Sequence, residues 1–369
     1  MASYPPKNKL TEARVDLTRA MYQKRKQNPE KFALLNELHM QPFFGDLLPG
    51  KKYFRTNADI QTAVNLWCAN RAEAEERYGH ISDWDVSSVT DMSDLFRNKR
   101  EFNDDIRQWD VSNVTDMKKM FWGARTFNQA IGNWDVSKVT DMSFMFSGAD
   151  NFNQPIGNWD VSKVTRMGYM FSNASAFNQP IGDWNVSNVH AMDDMFRNSR
   201  FNQPIGDWDV SKVIGMSRMF ADSRFNQPIG NWDVSKVTRM GYMFSNASAF
   251  NQPIGDWNVS NVHTMDDMFD NSIFNQPIGN WDVSKVTRMS EMFSNASAFD
   301  QDISGWNISN VVTNDGIFDG CNIRPNYKPA RFRRGGGRAK NMRRASRKGT
   351  RSRKGRRTLK RGAKRTRRR

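Results

Sequence analysis

Tryptophan recurs at Trp84, Trp109, Trp134, Trp159, Trp184, Trp208, Trp232, Trp257, Trp281 and Trp306, at intervals of only 24 or 25 residues. A fixed period held over ten copies constrains the fold more than any local propensity, because each copy must be one structural unit stacked on its neighbours. Counted from each Trp, Val or Ile follows at +2, Val at +5, Met at +8, Met, Leu or Ile at +11 and Phe at +12; in the fourth copy these are Val161, Val164, Met167, Met170 and Phe171. Most copies then run through Phe-Asn-Gln-Pro-Ile-Gly to the next Trp, as at Phe177, Ile181 and Trp184. Apolar side chains at fixed phase bury one another between copies, and a single copy could not fold alone. The expected fold class is a repeat solenoid of mostly short β-strands and turns, with a helical N-terminal cap and a disordered basic C-terminal tail.

Around Trp-Asp-Val-Ser-x-Val the spacing is partly period two and β-rich, which predicts one or two very short strands. Met-x-x-Met-Phe predicts a turn of 3₁₀- or α-helix. Gly followed by Asn or Asp before most tryptophans is corner chemistry. Length varies only between the Phe at +12 and the next Phe, as in Ser172 to Ala176 against Arg197 to Arg200. Residues 152–199 and 225–272 differ at two positions, Ala191 against Thr264 and Arg197 against Asp270, so a three-copy block has been duplicated recently.

A stack needs caps. Residues 11–27 and 57–78 read as helices, the second starting near Asn57 as N-cap with Ile60, Ala63, Val64 and Trp67 on one face. In the last copy the +8 Met becomes Asn314 and the +11 Met becomes Ile317, followed by Gly320 and Cys321, where the stack should stop. The predicted organisation is an N-terminal helical or irregular extension (1–56), a helical cap (57–80), the ten-copy repeat (81–320), a linker (321–330) and an Arg/Lys-rich tail (331–369).

The net charge of +16 is unevenly placed: residues 331–369 carry 21 Lys or Arg and no Asp or Glu, which leaves −5 for the rest. A mean hydropathy of −0.76 and the lack of any long apolar run argue against transmembrane insertion. Met1 to Leu10 has no apolar core of the secretory kind. An intracellular location, nuclear or virion-associated, is favoured, with the cell surface as alternative. Cys68 and Cys321 have no partner at metal-ligand or redox spacing and read as buried or free thiols.

The unit Trp-Asp-Val-Ser-Lys-Val-Thr-Arg-Met-Gly-Tyr-Met-Phe-Ser-Asn-Ala-Ser-Ala-Phe-Asn-Gln-Pro-Ile-Gly resembles the repeat of BspA-like leucine-rich-repeat surface proteins, the mycoplasma-lipoprotein-type domain of unknown function. The entry segments Ala63 to Trp67 and Tyr78 to Trp84 are similar to the way such arrays begin. The resemblance implies a leucine-rich-repeat-like right-handed solenoid, adhesion at the cell surface in bacterial members, and no catalytic residues. The chain departs from bacterial members in its basic tail and in lacking a lipid-attachment Cys near its start. Similar arrays in unicellular eukaryotes and large DNA viruses carry basic tails of this kind.

The tail is the strongest functional signal outside the repeats. Arg333, Arg334, Arg343, Arg344, Arg347, Lys348, Arg351, Arg353, Lys354, Arg356, Arg357, Lys360, Arg361, Lys364, Arg365, Arg367, Arg368 and Arg369 are interspersed with Gly, Ser, Thr and Ala. Such a segment cannot form a core, and its charge would release counterions from nucleic acid or another polyanion. Competing readings are a localisation signal, a clamp on the acidic repeats and a solvated tail. Ser346, after Arg343 and Arg344, suits a basophilic kinase.

Asp85, Asp110, Asp135, Asp160, Asp209, Asp233 and Asp282, with Asn185, Asn258 and Asn307 interleaved, form a row that could hold Ca²⁺ or attract a basic partner, although corner hydrogen bonds to the backbone explain it more simply. The sequons at Asn173, Asn246 and Asn295 read as repeat corners, and His190 and His263 as one repeat position occurring twice. No nucleophilic triad, phosphate-cradling glycine loop or metal-ligand cluster stands out. The expected function is therefore non-enzymatic, without cofactor: a protein partner on the repeat surface, nucleic acid or another polyanion on the tail. The alternatives are a surface adhesin and a virion or nuclear structural protein anchored by the tail.

Overall fold

The computed structural model describes residues 53–333. Residues 53–329 lie in one compact unit; Ala330–Arg333, a short helix, opens a second. The helix expected over 11–27 falls outside the described residues, as do all the tail positions beyond Arg333. Among the described residues no helix is long and apolar enough to cross a membrane.

The cap begins at strand β1 (Tyr53–Phe54), which pairs in parallel with β2 (Trp84–Asp85). Between them, one helix was expected over 57–78; two form, α1 (Ile60–Ala69) and α2 (Arg71–Tyr78). Asn70 makes the break: its backbone leaves the helical region and its Oδ1 accepts the amide of Glu73 to start α2. Nor does Asn57 cap α1. Its Oδ1 accepts the amides of Thr90 and Asp91, which ties the cap to the first repeat. Ile60, Ala63, Val64 and Trp67 are buried as a face, and the Trp67 ring meets Trp84 edge-on at 6.1 Å. Arg55 is fully buried; its guanidinium donates to the carbonyl oxygens of Phe54 and Tyr78 and to Asp59 and lies over the rings of Tyr78 and Trp84.

Beyond the cap, nine parallel bridges link the +7 residues of successive repeats: Asp91, Asp116, Asp141, Arg166, Ala191, Gly215, Arg239, Thr264, Arg288 and Thr313. The strands predicted after each Trp are absent past the first repeat: β2 pairs with β1 of the cap, and in every repeat the Val at +5 closes a turn onto the carbonyl at +2 (Val164 to Val161, 2.9 Å). From +8 onward no helical turn forms either. The amides at +8, +10, +12 and +14 donate to the next repeat, as Met167, Tyr169, Phe171 and Asn173 do to Ala191, Asp193, Met195 and Arg197. Those at +11, +13 and +15 instead close turns within the repeat. Alternating the two directions pairs most amides of the segment, and it places a left-handed residue as third member of two turns, at +10 and +14.

The core is three aromatic columns. The Phe at +12 stack from Phe96 to Phe318 with centroids 5.4 to 5.9 Å apart. Within each of the first nine repeats this ring meets the following Phe at 3.9 to 4.3 Å. The ten tryptophans are only 2 to 5% exposed. Burying one such side chain contributes about 1.5 to 3 kcal/mol, so the repeated set supplies the main cohesion. From Trp159 onward each indole N–H donates to the carbonyl of the Ile preceding the previous Trp.

A second ladder is polar. The Asn of Phe-Asn-Gln accepts the amide of its counterpart one repeat on, from Asn103 through Asn275 to Asp300 and Arg324, at 2.8 to 3.0 Å. The ladder thus runs past residue 320. Pro325–Tyr327 forms a 3₁₀ turn, Tyr327 accepts the amide of Ile303, and Arg324 pairs with Asp300 at 2.9 Å. Of the linker expected over 321–330, residues 321–329 lie in the same compact unit as the repeats and close the stack.

Candidate interaction face

Each exposed row of the stack is explained by structure or it is not, and the sequence-predicted rows fall in the first class. The Asp and Asn residues after each Trp accept the amide of the Ser two positions on, at 3.0 to 3.2 Å. These bonds lie within a repeat rather than between adjacent repeats. The Ser bonds, with neighbouring lysines in support, hold Asp135, Asp160, Asp209 and Asp233 below the usual carboxylate range. Among the described residues no group of three His, Cys, Asp or Glu side chains converges as a metal site. At +4, Lys138, Lys212 and Lys285 each donate to an Asn of the preceding repeat at 2.7 Å, and those Asn side chains donate to Ser carbonyls one repeat further back. His190 and His263 are exposed at +6. Cys68 and Cys321 are both free thiols, their pKa values raised by burial. Asn173, Asn246 and Asn295 are left-handed turn residues at +14.

One face is not explained in this way. It comprises positions +7, +9, +10 and +13, and its side chains change from repeat to repeat. At +10 the chain reads Asp94, Lys119, Phe144, Tyr169, Asp194, Arg218, Tyr242, Asp267, Glu291 and Gly316, all with φ between 53° and 64°. A left-handed conformation costs an L residue roughly 1 to 2 kcal/mol, and bulky side chains there are genuine outliers. At +14, under the same requirement, every residue is Asn, Asp or Gly. Glycine would relieve the strain at +10 too, yet only the tenth copy has it.

The +10 side chains interact along the stack. Phe144 and Tyr169 lie ring on ring at 4.2 Å, Trp122 at +13 meets Phe144 at 6.1 Å, Arg97 covers Trp122 at 4.3 Å, and Lys119 lies 5.6 Å from both Trp122 and Phe144. Further along, burial and the neighbouring carboxylates of Asp194 and Asp267 push the Tyr169 and Tyr242 phenols up, while Arg218 covers the Tyr242 ring at 4.5 Å. Over Gly215, where a Cβ would meet both side chains, Arg239 reaches Asp193, two repeats away, at 3.4 Å. Trp122, Phe144, Tyr169 and Tyr242 remain half-buried at the surface.

The repeats match a known family, described as a Mycoplasma protein of unknown function, DUF285, over residues 69–164, 124–229 and 216–327. The chain belongs to this family. No curated protein and no solved structure matches it. The three overlapping DUF285 matches begin inside α1 and run past the last Trp to Tyr327, so the family pattern takes in the closing turn as well as the repeats.

Within this DUF285 array the variable face has a recorded history. Both positions that differ between 152–199 and 225–272 lie on it: Ala191 against Thr264 at +7 and Arg197 against Asp270 at +13. The sequence reading passed over this face because its residues share no type. The legible signal is the contrast between a +14 that is always Asn, Asp or Gly and a +10 that carries Lys, Phe, Tyr, Arg or Glu in six of the ten copies.

Proposed function

We propose that this chain is a non-enzymatic repeat protein, a leucine-rich-repeat-like solenoid of the BspA kind, which binds a protein partner through the +7, +9, +10 and +13 face. Residues 331–369 contact nucleic acid or another polyanion. The observation that carries the first part is the +10 row: nine side chains held in left-handed backbone where glycine would be unstrained. Strain kept at the surface, in a row whose side chains add nothing to the core, marks a functional position. The constant rows support the same reading, since their polar groups are committed to holding repeats together.

A photo-crosslinking amino acid at Tyr169 or Tyr242 of the full chain, expressed in its native cell, should give a discrete adduct. The same group at Lys163 or Lys236, exposed in the same repeats, should not. Equal adducts from both rows, or none from the face, would sink the reading. For the tail, the full chain and one ending at residue 330 are titrated with labelled duplex DNA and RNA across a salt series. A steep salt slope confined to the full chain is expected, and equal binding by the two would assign it elsewhere.

A further inference from the structure

The tenth repeat breaks off a bonding pattern that the other nine share. In each of those nine the amides at +10 and +14 donate to the carbonyls at +9 and +13 of the next repeat, from Asp94 and Asn98 through to Glu291 and Asn295. The last two of these bonds, Glu291 to Asp315 at 2.9 Å and Asn295 to Asp319 at 2.7 Å, hold the carbonyls of two aspartates that are each followed by glycine. A trans peptide points its N–H away from its C=O, so the Gly316 and Gly320 amides face off the end of the stack. Among the described residues neither has an acceptor. The Asp315 and Asp319 residues beside them are exposed. These are the only two Asp-Gly pairs in the chain, and it has no Asn-Gly.

We propose that Asp315 and Asp319 are modification sites, at which the backbone isomerises through a succinimide to a β-linked isoaspartate. The glycine nitrogen attacks Cγ of the protonated side-chain carboxyl. A C–N bond forms, the Cγ–OH bond breaks, and the hydroxyl leaves with the amide proton as water. A second water then opens the five-membered imide at the main-chain carbonyl carbon. The chain now continues through Cγ, the former peptide carbonyl is a carboxylate, and the net composition is unchanged. Glycine favours the closure because no Cβ hinders its nitrogen, and an amide without an acceptor gives up no hydrogen bond to react. The interior of the stack supplies the contrast. Asp193 and Asp266 at +9 and Asp270 at +13 occupy the same rows, but the amides that follow them, of Asp194, Asp267 and Asn271, donate to Ser217, Ser290 and Ser294 at 2.7 to 2.8 Å. Isomerisation at 315 and 319 would convert the two carbonyls that receive Glu291 and Asn295, and so would loosen the last contact between repeats. The proposal does not depend on what the variable face binds.

The test ages the full chain at neutral pH and physiological temperature and maps its peptides by electron-transfer fragmentation, which distinguishes the two linkages at equal mass. The β-linkage should accumulate roughly tenfold faster at 315 and 319 than at 193, 266 and 270, because only there is the amide both unbonded and unhindered. Asp315→Glu with Asp319→Glu keeps both charges but demands a slower six-membered closure. It should remove the methyl groups that an isoaspartyl methyltransferase adds to the aged parent. Asn271→Gly creates an Asp-Gly pair at Asp270 inside the stack, with glycine at +14 as at Gly123 and Gly148. Since that amide donates to Ser294, Asp270 should stay as slow as in the parent. Matching urea midpoints check that the stack is intact in both variants. Rates at 315 and 319 no higher than at the interior aspartates, or methyl incorporation undiminished by the double exchange, would overturn the proposal. Isomerisation of Asp270 in the Asn271→Gly chain as fast as that of Asp319 would show that the dipeptide alone sets the rate, and would overturn the role of the open end.

Discussion

The rows at +10 and +14 meet one backbone requirement in opposite ways. Each supplies the third residue of a turn whose amide donates to the next repeat, and each holds φ between 50° and 74°. The +14 row answers with Asn, Asp and Gly, the residues that reach this conformation at least cost. The +10 row answers with Phe, Tyr, Arg, Lys, Asp and Glu. The difference teaches that turn chemistry governs where nothing else is asked of the side chain and yields where the side chain itself is needed.

The comparison breaks most sharply at Asn173. Its Oδ1 also accepts the Asn198 side-chain amide at 2.8 Å, and Asn173→Val would place a β-branched residue in left-handed backbone while removing that bond. A loss of about 2 kcal/mol follows, read as a lowered urea midpoint. A midpoint within error of the parent would mean that the +14 row is not a turn constraint. At the neighbouring +10 position the same logic runs the other way. Tyr169→Gly relieves about 1 to 2 kcal/mol of backbone strain, set against the lost stacking on Phe144, about 0.5 to 1.5 kcal/mol, and glycine's greater unfolded freedom of about 1 kcal/mol. The midpoint should stay within about 1 kcal/mol of the parent, with the crosslinked adduct from Tyr242 reduced. A collapse of stability would make Tyr169 a structural residue and weaken the proposed face.

The aromatic columns and the period were legible because apolar residues at fixed phase have one economical arrangement. The short repeats were legible too, though subtly. Where a repeat loses one residue, the buried Ala at +15 becomes Ser, and the hydroxyls of Ser199, Ser223 and Ser272 donate to the preceding Phe carbonyl at 2.7 to 2.9 Å. The side chain supplies a bond where the chain has been shortened. The misplaced strands had a physical cause: Val-x-x-Val here closes a turn with both side chains inward, and the pairing residue is the variable one at +7, which carries no β signature in Asp, Arg, Ala or Gly. Bridges held by so mixed a set depend on the columns beneath them rather than on propensity. The Asn ladder was hidden by its own regularity, since a recurring Asn close to Pro and Gly reads as a corner while its side chain bonds the next repeat.

The smallest expected effect separates carboxylates of the two kinds of row by the sign of their pH dependence. Asp267 at +10 titrates near 6 in the fold against an ordinary value of 3.8. Between those values the folded chain binds more protons than the unfolded one, so this group's contribution to stability falls as pH rises from about 4 to 6 and is constant above. Asp160, in the row after the tryptophans, is held below its ordinary value by the Ser162 bonds, so its contribution is present at neutral pH and is lost only as pH falls through and below 3.8. Asp267→Asn should therefore gain stability relative to the parent as pH climbs from 4 to 6. For Asp160→Asn any deficit at pH 7 should hold through that window and shrink only under more acid conditions. Urea midpoints at four pH values decide it. A parallel pair of curves would show that burial and the neighbouring carboxylates do not burden Asp267 in the fold.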